Sequence, residues 1–513
     1  VLTTKKIFGP PGTGKTHTLL SIVEEALDNG VEPNKIGYFS FTQKAAREAI
    51  SRAVDRFPQY DKKDFKYFRT LHSLAYIELG LGNDSMMDDD DYKELSDKLN
   101  IKVSNPNQKL KQYGVSWQDD AYLQVYDLSR IKQVSLEHQF MHPDTPFLKD
   151  GEIKLRKIAR GFEQYKKDNK FMDFTDMIIE YTKRKVSPRF EVLIIDEAQD
   201  LSSIQWDLVE LLSRSSKSVY IAGDDDQAVF KWAGASPERF LRLKGEQVIL
   251  NQSYRVPLAV QEKAVNIINR IPENERVMKN WNPRDFQGLY KKHNFVFFND
   301  FNLHNNDWLI LARTKYHLDN VEKELKKTGV FYSRYDKKSI SDRLLNAIIS
   351  WTDISRGKSV SLKSVKDIYS YMKVDEDVAH GFKTMPRALD TAQYTYEDLK
   401  NNYGLLAKKD MIWRESMSDI SDSKAQYVKK MLENKQNLKK DPDVRLSTIH
   451  ASKGGQASNV LLFSDTSSKA DEAYRRNKSD ERRVFYVGMT RAKEQLHVVR
   501  SETMYEFGEL FWS

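Results

Sequence analysis

Three short stretches of this chain carry residue types from which phosphate chemistry can be built. The first, Gly9-Pro10-Pro11-Gly12-Thr13-Gly14-Lys15-Thr16, is a full GxxxxGK[ST] loop. A strand-like run from Lys5 to Phe8 precedes it and a helical pattern follows. Glycines at these positions let backbone N–H groups wrap phosphate oxygens, and the helix N-terminus adds a favourable dipole. Lys15 would neutralise β- and γ-phosphates, and the Thr16 hydroxyl would take a position on Mg²⁺. The second stretch is an apolar run, Val192 to Ile195, that ends in Asp196-Glu197-Ala198-Gln199-Asp200. Asp196 suits the outer coordination of the same metal, and Glu197 could polarise an attacking water. The third, Gly223 to Ala235, reads GDDDQAVFKWAGA and sets three acids and Gln227 a few residues ahead of Phe230 and Trp232. In an open α/β sheet the carboxyl end of a strand is where ligands bind. One segment could therefore touch a phosphate at one end and stack on a base at the other.

Phosphoryl transfer also needs positive charge on the leaving phosphates. Arg255, in Leu250-Asn251-Gln252-Ser253-Tyr254-Arg255, and Arg491, in Val487-Gly488-Met489-Thr490-Arg491-Ala492, are candidates for that role from a second lobe. Taken singly, each has the plainer reading of a surface ion-pair partner, and each aromatic the plainer reading of core packing.

Positioning such residues requires strands that end at functional turns. Short apolar runs do recur ahead of them: Ile36 to Phe41, Val192 to Ile195, Val219 to Ala222, Trp308 to Ala312, Val460 to Phe463 and Leu496 to Val499. Helical stretches between them imply parallel sheets with crossover helices. Two regions break the rhythm, about Tyr76 to Lys170 and about Arg334 to Lys440, and read as helical insertions. The acidic run Asp88 to Asp91 reads as a solvated loop. The lysine pairs (Lys408-Lys409, Lys429-Lys430, Lys439-Lys440) read as solvated helix faces. At 513 residues the chain needs two to four domains, and its net charge of +8 leans towards an acidic partner such as nucleic acid. The absence of cysteine excludes disulfides, thiolate metal sites and a Cys nucleophile. No apolar run approaches the roughly 20 residues of a membrane helix, and no export segment opens the chain, so a soluble cytoplasmic protein is expected.

Taken in order, these pieces resemble superfamily 1 helicases of the UvrD/Rep/PcrA type. The resemblance rests on GPPGTGKT (9–16), YFSFTQKAAREA (38–49), TLHSLA (70–75), MDFTDM (172–177), IIDEAQD (194–200), GDDDQAVFKWAGA (223–235), NQSYR (251–255), LARTK (311–315), VRLSTIHASKGG (444–455) and ERRVFYVGMTRAK (481–493). It implies an α/β fold of two RecA-like P-loop lobes with parallel sheets, each carrying a mainly helical insertion. The first lobe would be 1–75 and 171–245 with its insertion at 76–170. The second would be 246–333 and 441–513 with its insertion at 334–440. ATP and Mg²⁺ would sit between the lobes. Lys15, Glu197, Gln227, Arg255 and Arg491 would act in hydrolysis, Thr16 and Asp196 would hold the metal, and Tyr254 would stack on adenine. Phe41, Thr42, His72, Phe230, Trp232, Arg313 and His450 would line single-stranded DNA. The implied activity is an ATP-dependent single-stranded DNA translocase and helicase, 3′→5′, acting as a monomer at single-strand/duplex junctions. RNA is left open as a partner.

The chain departs from that family in four places. Only eight residues precede Gly9, and the family's adenine-reading glutamine motif is not among them; either base selectivity is relaxed or that stretch lies outside this sequence. Ala233 stands where arginine usually follows the tryptophan. Gln456 replaces the usual glutamate, where an amide hydrogen bond to the ribose would be weaker than a charge-assisted one. About twenty residues follow Arg491 and both insertions look small, so a compact member without a partner-binding tail or nuclease domain is expected. Two other readings compete: a translocase that strips proteins from DNA and unwinds little, and a catalytically silent nucleic-acid-binding scaffold.

Overall fold

The computed structural model describes residues 3–103, 120–143, 145–296, 298–303, 306–385, 393–500 and 503–511. The chain divides into two compact units, Val1–Leu289 with Ser468–Glu494, and Tyr290–Ser467 with Gln495–Ser513.

In the first unit six strands form one sheet. They are β1 (Thr3–Phe8), β2 (Ile36–Phe39), β3 (Phe68–Arg69), β4 (Phe190–Ile195), β5 (Ser216–Gly223) and β6 (Glu246–Ile249), in the order β3-β2-β4-β5-β1-β6. All five pairings are parallel. Successive side chains of a strand face opposite sides, and both sides of this sheet are covered. Phe8, Phe39, Leu193, Ile195, Val219 and Ile221 enter one core with Trp206 and Leu208. Ile7, Tyr38, Val192, Ile194 and Ala222 enter the other with Leu19 and Val23. This two-sided burial is why the strands read as near-continuous apolar runs. The order makes β4, β5 and β1 neighbours, and Phe8 pairs with Gly223 while Ile195 pairs with Ile221. Three chemistry-bearing turns therefore leave one edge of the sheet side by side.

Helices Asp89–Leu99, Ala121–Lys132 and Gly151–Asn169 build a satellite core of their own around Leu95, Leu123, Leu155 and Phe162. The acidic run is not a loop, as the sequence reading expects. Asp88 caps the helix that starts at Asp89, with Asp91 closing a capping box. Carboxylates in a first turn complement the helix dipole. After β6 come two further strands that pair with each other, β7 (Gln252–Pro257) and β8 (Asn282–Arg284). The helix Leu258–Ile268 follows β7, and the helix Lys478–Met489 belongs to the same unit.

The second sheet consists of β9 (Leu289–His293), β10 (Trp308–Ala312), β11 (Tyr332–Arg334), β12 (Lys337–Lys338), β15 (Val444–Thr448), β16 (Ala457–Phe463) and β17 (Ala492–Val499). A separate ribbon pairs β13 (Val360–Ser361) with β14 (Gln393–Tyr394). The sheet order is β12-β11-β15-β10-β16-β17-β9, with β15 and β16 both parallel to β10. Helices Asp342–Ser355, Leu362–Tyr369, Tyr396–Asn402 and Asp422–Glu433 lie between β12 and β15 in sequence. They share one core with the sheet, in which Trp351, Tyr369 and Val428 join Ile310 and Leu446. The three lysine pairs are exposed, as expected of solvated faces.

Candidate nucleotide and nucleic-acid sites

The loop after β1 turns sharply because Gly12 (φ 75°) and Gly14 (φ 79°) adopt left-handed backbone that other residues rarely hold. Its edges are fixed by Gly9 N–H donating to Gly223 O (3.0 Å) and by Thr13 Oγ1 donating to Pro10 O (2.8 Å). The helix Lys15–Asp28 starts at once, so Lys15 and Thr16 occupy its first turn. Lys15 Nζ lies 2.5 Å from Glu197 Oε1 and 3.2 Å from Asp196 Oδ1. Burial opposes its ammonium form, yet the two carboxylates outweigh burial and hold its pKa above the usual lysine value.

Asp196 is buried at the end of β4. Its Oδ2 accepts from Tyr38 Oη (3.2 Å) and its Oδ1 from the Glu197 N–H (2.8 Å). Burial raises its pKa, Lys15 pulls it back and Glu197 pushes it up again. Glu197 itself has a left-handed backbone (φ 56°), a conformation that costs energy outside glycine and gathers at functional sites.

From Glu197 a continuous set of hydrogen bonds runs to Arg491. Gln199 Nε2 donates to Glu197 Oε2 (2.6 Å), and Gln199 Oε1 accepts the Asp224 N–H (2.9 Å). Asp224 Oδ2 accepts from Gln227 Nε2 (2.7 Å), and Gln227 Oε1 accepts from Arg491 Nη2 (2.9 Å). Gly223 is required here, since a Cβ on it would stand 2.5 Å from Gln199 Oε1.

The three acids after β5 meet cations of the chain itself. All are buried, and their counter-charges come from the segment before β8. Lys279 Nζ reaches Asp224 (3.3 Å), Asp225 (2.6 Å) and Asp226 (2.9 Å), while Arg276 grips both oxygens of Asp226 (2.8 and 2.6 Å). Arg483 adds bonds to the carbonyls of Asp225 and Glu275. Tyr38, Gln199, Arg276, Lys279 and Arg483 are absent from the sequence-derived site. Gln199 had a signal in its place beside two acids; Arg276 and Lys279 lie in a stretch without pattern.

Strand β7 is laid on the phosphate loop. Ser253 Oγ donates to Pro11 O and Tyr254 N–H to Gly12 O, each at 2.8 Å. The Tyr254 ring is exposed and comes within 3.8 Å of a Cβ position on Gly14. Arg255 and Arg491 lie in the same compact unit as the loop. Burial lowers the pKa of Arg255, and its Nε, although buried, has no hydrogen-bond partner among the described residues. Arg491 is fully buried with Nε donating to Val487 O (2.9 Å). Burial, and then the neighbouring Arg255, pull it down to about 9. The buried Arg491 and half-buried Arg255 guanidiniums, which repel each other beside a lysine and a ring of loop N–H groups, form a donor set suited to a polyphosphate. The Thr16 hydroxyl and the Asp196 carboxylate suit a hard divalent cation.

Of the residues expected on nucleic acid, Phe41 is half-buried, and its ring stacks on Phe230 with centroids 5.7 Å apart. Phe230 is only 4% exposed, whereas Trp232 is 38% exposed, with its ring 6.5 Å from that of Phe230. Thr42 caps the helix Gln43–Arg56 by accepting the Ala45 N–H (3.1 Å). His72 lies edge-on to Phe174, and burial lowers its pKa to about 4. In the second unit Arg313 and His450 follow the adjacent strands β10 and β15, which Ile449 N–H ties together by donating to Ala312 O (3.0 Å). Burial first, and then Arg313 and Lys453, hold the His450 pKa well below normal. Gln456 is exposed, and its carbonyl accepts from Arg445 (2.8 Å).

A parallel sheet whose adjacent strand ends bear a phosphate loop, an Asp-Glu pair and a glutamine bonded to an arginine defines a P-loop nucleotide-dependent enzyme. Residues 2–247 match the model of the UvrD/REP helicase N-terminal domain, and residues 443–499 match that of the UvrD-like helicase C-terminal domain. The chain belongs to the UvrD/REP helicase family. It is 27% identical over 302 residues to a probable DNA helicase of Mycoplasma pneumoniae, covering 53% of this chain and 54% of that one. With a probable DNA helicase II homolog of the same organism it shares 23% identity, over 96% of this chain and 81% of the relative. With the ATP-dependent DNA helicase Rep of Buchnera aphidicola it shares 22%, over 99% and 92%. The chain thus spans about half the length of the first relative and most of the other two. No helix among the described residues is long and apolar enough to cross a membrane.

Proposed function

We propose that this chain is an ATP-driven translocase on single-stranded DNA that unwinds duplex from a 3′ tail. One observation carries the proposal. Gln227 is bonded to Asp224 and Arg491 on the nucleotide side, and the segment it belongs to reaches the exposed Trp232 only five residues later. Aromatic stacking tolerates any base and contributes about 1–3 kcal/mol per base, which suits a motor that reads no sequence.

The residues divide the work. Residues Gly9 to Thr16 would wrap the phosphates with backbone N–H groups, with Lys15 neutralising the outer ones. Thr16 and Asp196 would hold Mg²⁺, which would offset phosphate charge. Glu197 would take the proton of the attacking water. The Gln227 oxygen, which accepts from Arg491, would orient that water. Arg255 and Arg491 would stabilise charge on the leaving phosphate. Tyr254 would cover the base and Gln456 the ribose. Phe41, Thr42, His72, Phe230 and Trp232 would serve the DNA in one compact unit, and Arg313 and His450 in the other. The chain would act as a monomer at single-strand/duplex junctions.

The test compares ATP hydrolysis with and without single-stranded DNA, and unwinding of 3′-tailed, 5′-tailed and RNA-tailed duplexes. Stimulated hydrolysis that is lost in Lys15→Ala, with unwinding confined to the 3′ tail, is the expected result. Hydrolysis that survives Lys15→Ala would remove the nucleotide assignment.

A further inference from the structure

We propose that Lys279 is a positioning residue for nucleotide hydrolysis, acting through Asp224 to fix which way the Gln227 amide points. The inference rests on the hydrolytic role proposed for Gln227 and names what sets that role up.

The orientation follows from donor and acceptor chemistry. A carboxylate can only accept and a guanidinium can only donate. Gln227 stands between one of each, with Nε2 against Asp224 Oδ2 (2.7 Å) and Oε1 against Arg491 Nη2 (2.9 Å). Its amide oxygen is thereby committed to the Arg491 side, where it can also accept from a water. This holds only while Asp224 is a carboxylate with both oxygens accepting. Its Oδ1 takes the Asp226 N–H (3.2 Å) and faces Lys279 Nζ (3.3 Å), leaving Oδ2 for Gln227.

Asp224 is fully buried beside two further acids, a setting that favours its protonation. Lys279, whose side chain is also fully buried, contacts all three acids. The other charged or titratable groups around Asp224 are Asp225, Asp226, Arg276, Tyr486 and Arg491. Burial raises the Asp224 pKa to about 6, against the pull of the Lys279 ammonium, the strongest influence lowering it. Without Lys279 the carboxyl would hold its proton at higher pH. A protonated Asp224 donates, and the Gln227 amide would then reverse and set its NH₂ against the guanidinium.

The experiment uses the full chain and measures DNA-stimulated ATP hydrolysis from pH 5 to 9, nucleotide affinity by a fluorescent ATP analogue, and Tm. Lys279→Met is expected to move the acid limb of kcat up by about two pH units, which lowers kcat about 10-fold at pH 7 and leaves it near wild type at pH 9, and to leave analogue affinity within about twofold. Lys279→Arg, which keeps the charge, is expected to restore both kcat and the limb. Asp224→Asn guards against misfolding of Lys279→Met. Its single oxygen must serve the Asp226 N–H, so its NH₂ faces Gln227 and reverses the amide without adding a buried charge. It is expected to lose kcat to a similar degree and to lose the acid limb. Wild-type kcat with an unmoved limb in a folded Lys279→Met, or wild-type kcat in Asp224→Asn, overturns the inference. A wild-type chain that hydrolyses no ATP overturns instead the functional proposal beneath it.

Discussion

Gly12 and Arg255 are packed so closely that a Cβ on Gly12 would stand 2.4 Å from the Cβ of Arg255. The phosphate loop and the strand bearing one candidate finger are therefore in van der Waals contact along their backbones. Gly12→Ala must push β7 away and also place alanine in left-handed backbone, at a cost of about 1–2 kcal/mol. A shift of the finger by an ångström is expected to lower DNA-stimulated kcat about 100-fold. Steady-state hydrolysis and thermal melting, measured together, check this.

Arg255 is half-buried, has an unpartnered Nε among the described residues, and faces both the repelling Arg491 and the favourable charge of Glu197. Arg255→Met should remove a charge for which burial outweighs the compensation from Glu197, and make the folded chain about 1 kcal/mol more stable. It should also cut hydrolysis about 1000-fold. A rise in denaturation midpoint together with a collapse of kcat is the expected pair. A fall in both would mean that the guanidinium serves the fold.

Phe230 and Trp232 should separate cleanly. Phe230 is buried behind Phe41, so Phe230→Ala is expected to cost about 3–5 kcal/mol of stability. Trp232 is partly exposed, so Trp232→Ala should melt near wild type, keep basal hydrolysis and lose most of the stimulation by single-stranded DNA. Hydrolysis titrated with oligonucleotide distinguishes them, and equal loss of basal and stimulated rates in Trp232→Ala would return it to the core.

The two histidines expected on DNA are neutral in the folded chain near pH 7, His72 at about 4 and His450 well below its usual value. The folded chain therefore binds fewer protons than the unfolded one below pH 6.5, and their burial lowers stability as pH falls through that range towards 4. Binding of single-stranded DNA should then show the same salt dependence at pH 6 and pH 8. A slope of log affinity against log salt steeper by about 0.7 at pH 6 would reveal an added cation and contradict the assignment.

Much of this was legible in the residues because the two-sided sheet demands it. Runs such as Val192 to Ile195 announce buried parallel strands, and the glycines of the first loop announce left-handed turns. The resemblance to helicases named the nucleotide residues in order. The destination of Asp224, Asp225 and Asp226 was not legible. Three acids beside a glutamine look like ligands, and their partners Arg276 and Lys279 arrive some fifty residues later from a segment with no periodic signature. Only the fold brings them within 3.3 Å. The acidic run at Asp88 misled for a related reason, since carboxylates that begin a helix and carboxylates that line a loop have the same composition.

Lys15 is already shared between Glu197 and Asp196. Arrival of a phosphate is then an exchange of anions on one ammonium rather than the filling of a vacancy. On the proposed roles, Lys15 turning to the phosphate would release Glu197 Oε1 from the ammonium while Oε2 still accepts from Gln199. The base would thus be silent until the loop is loaded, a safety catch made from the residue that senses the load.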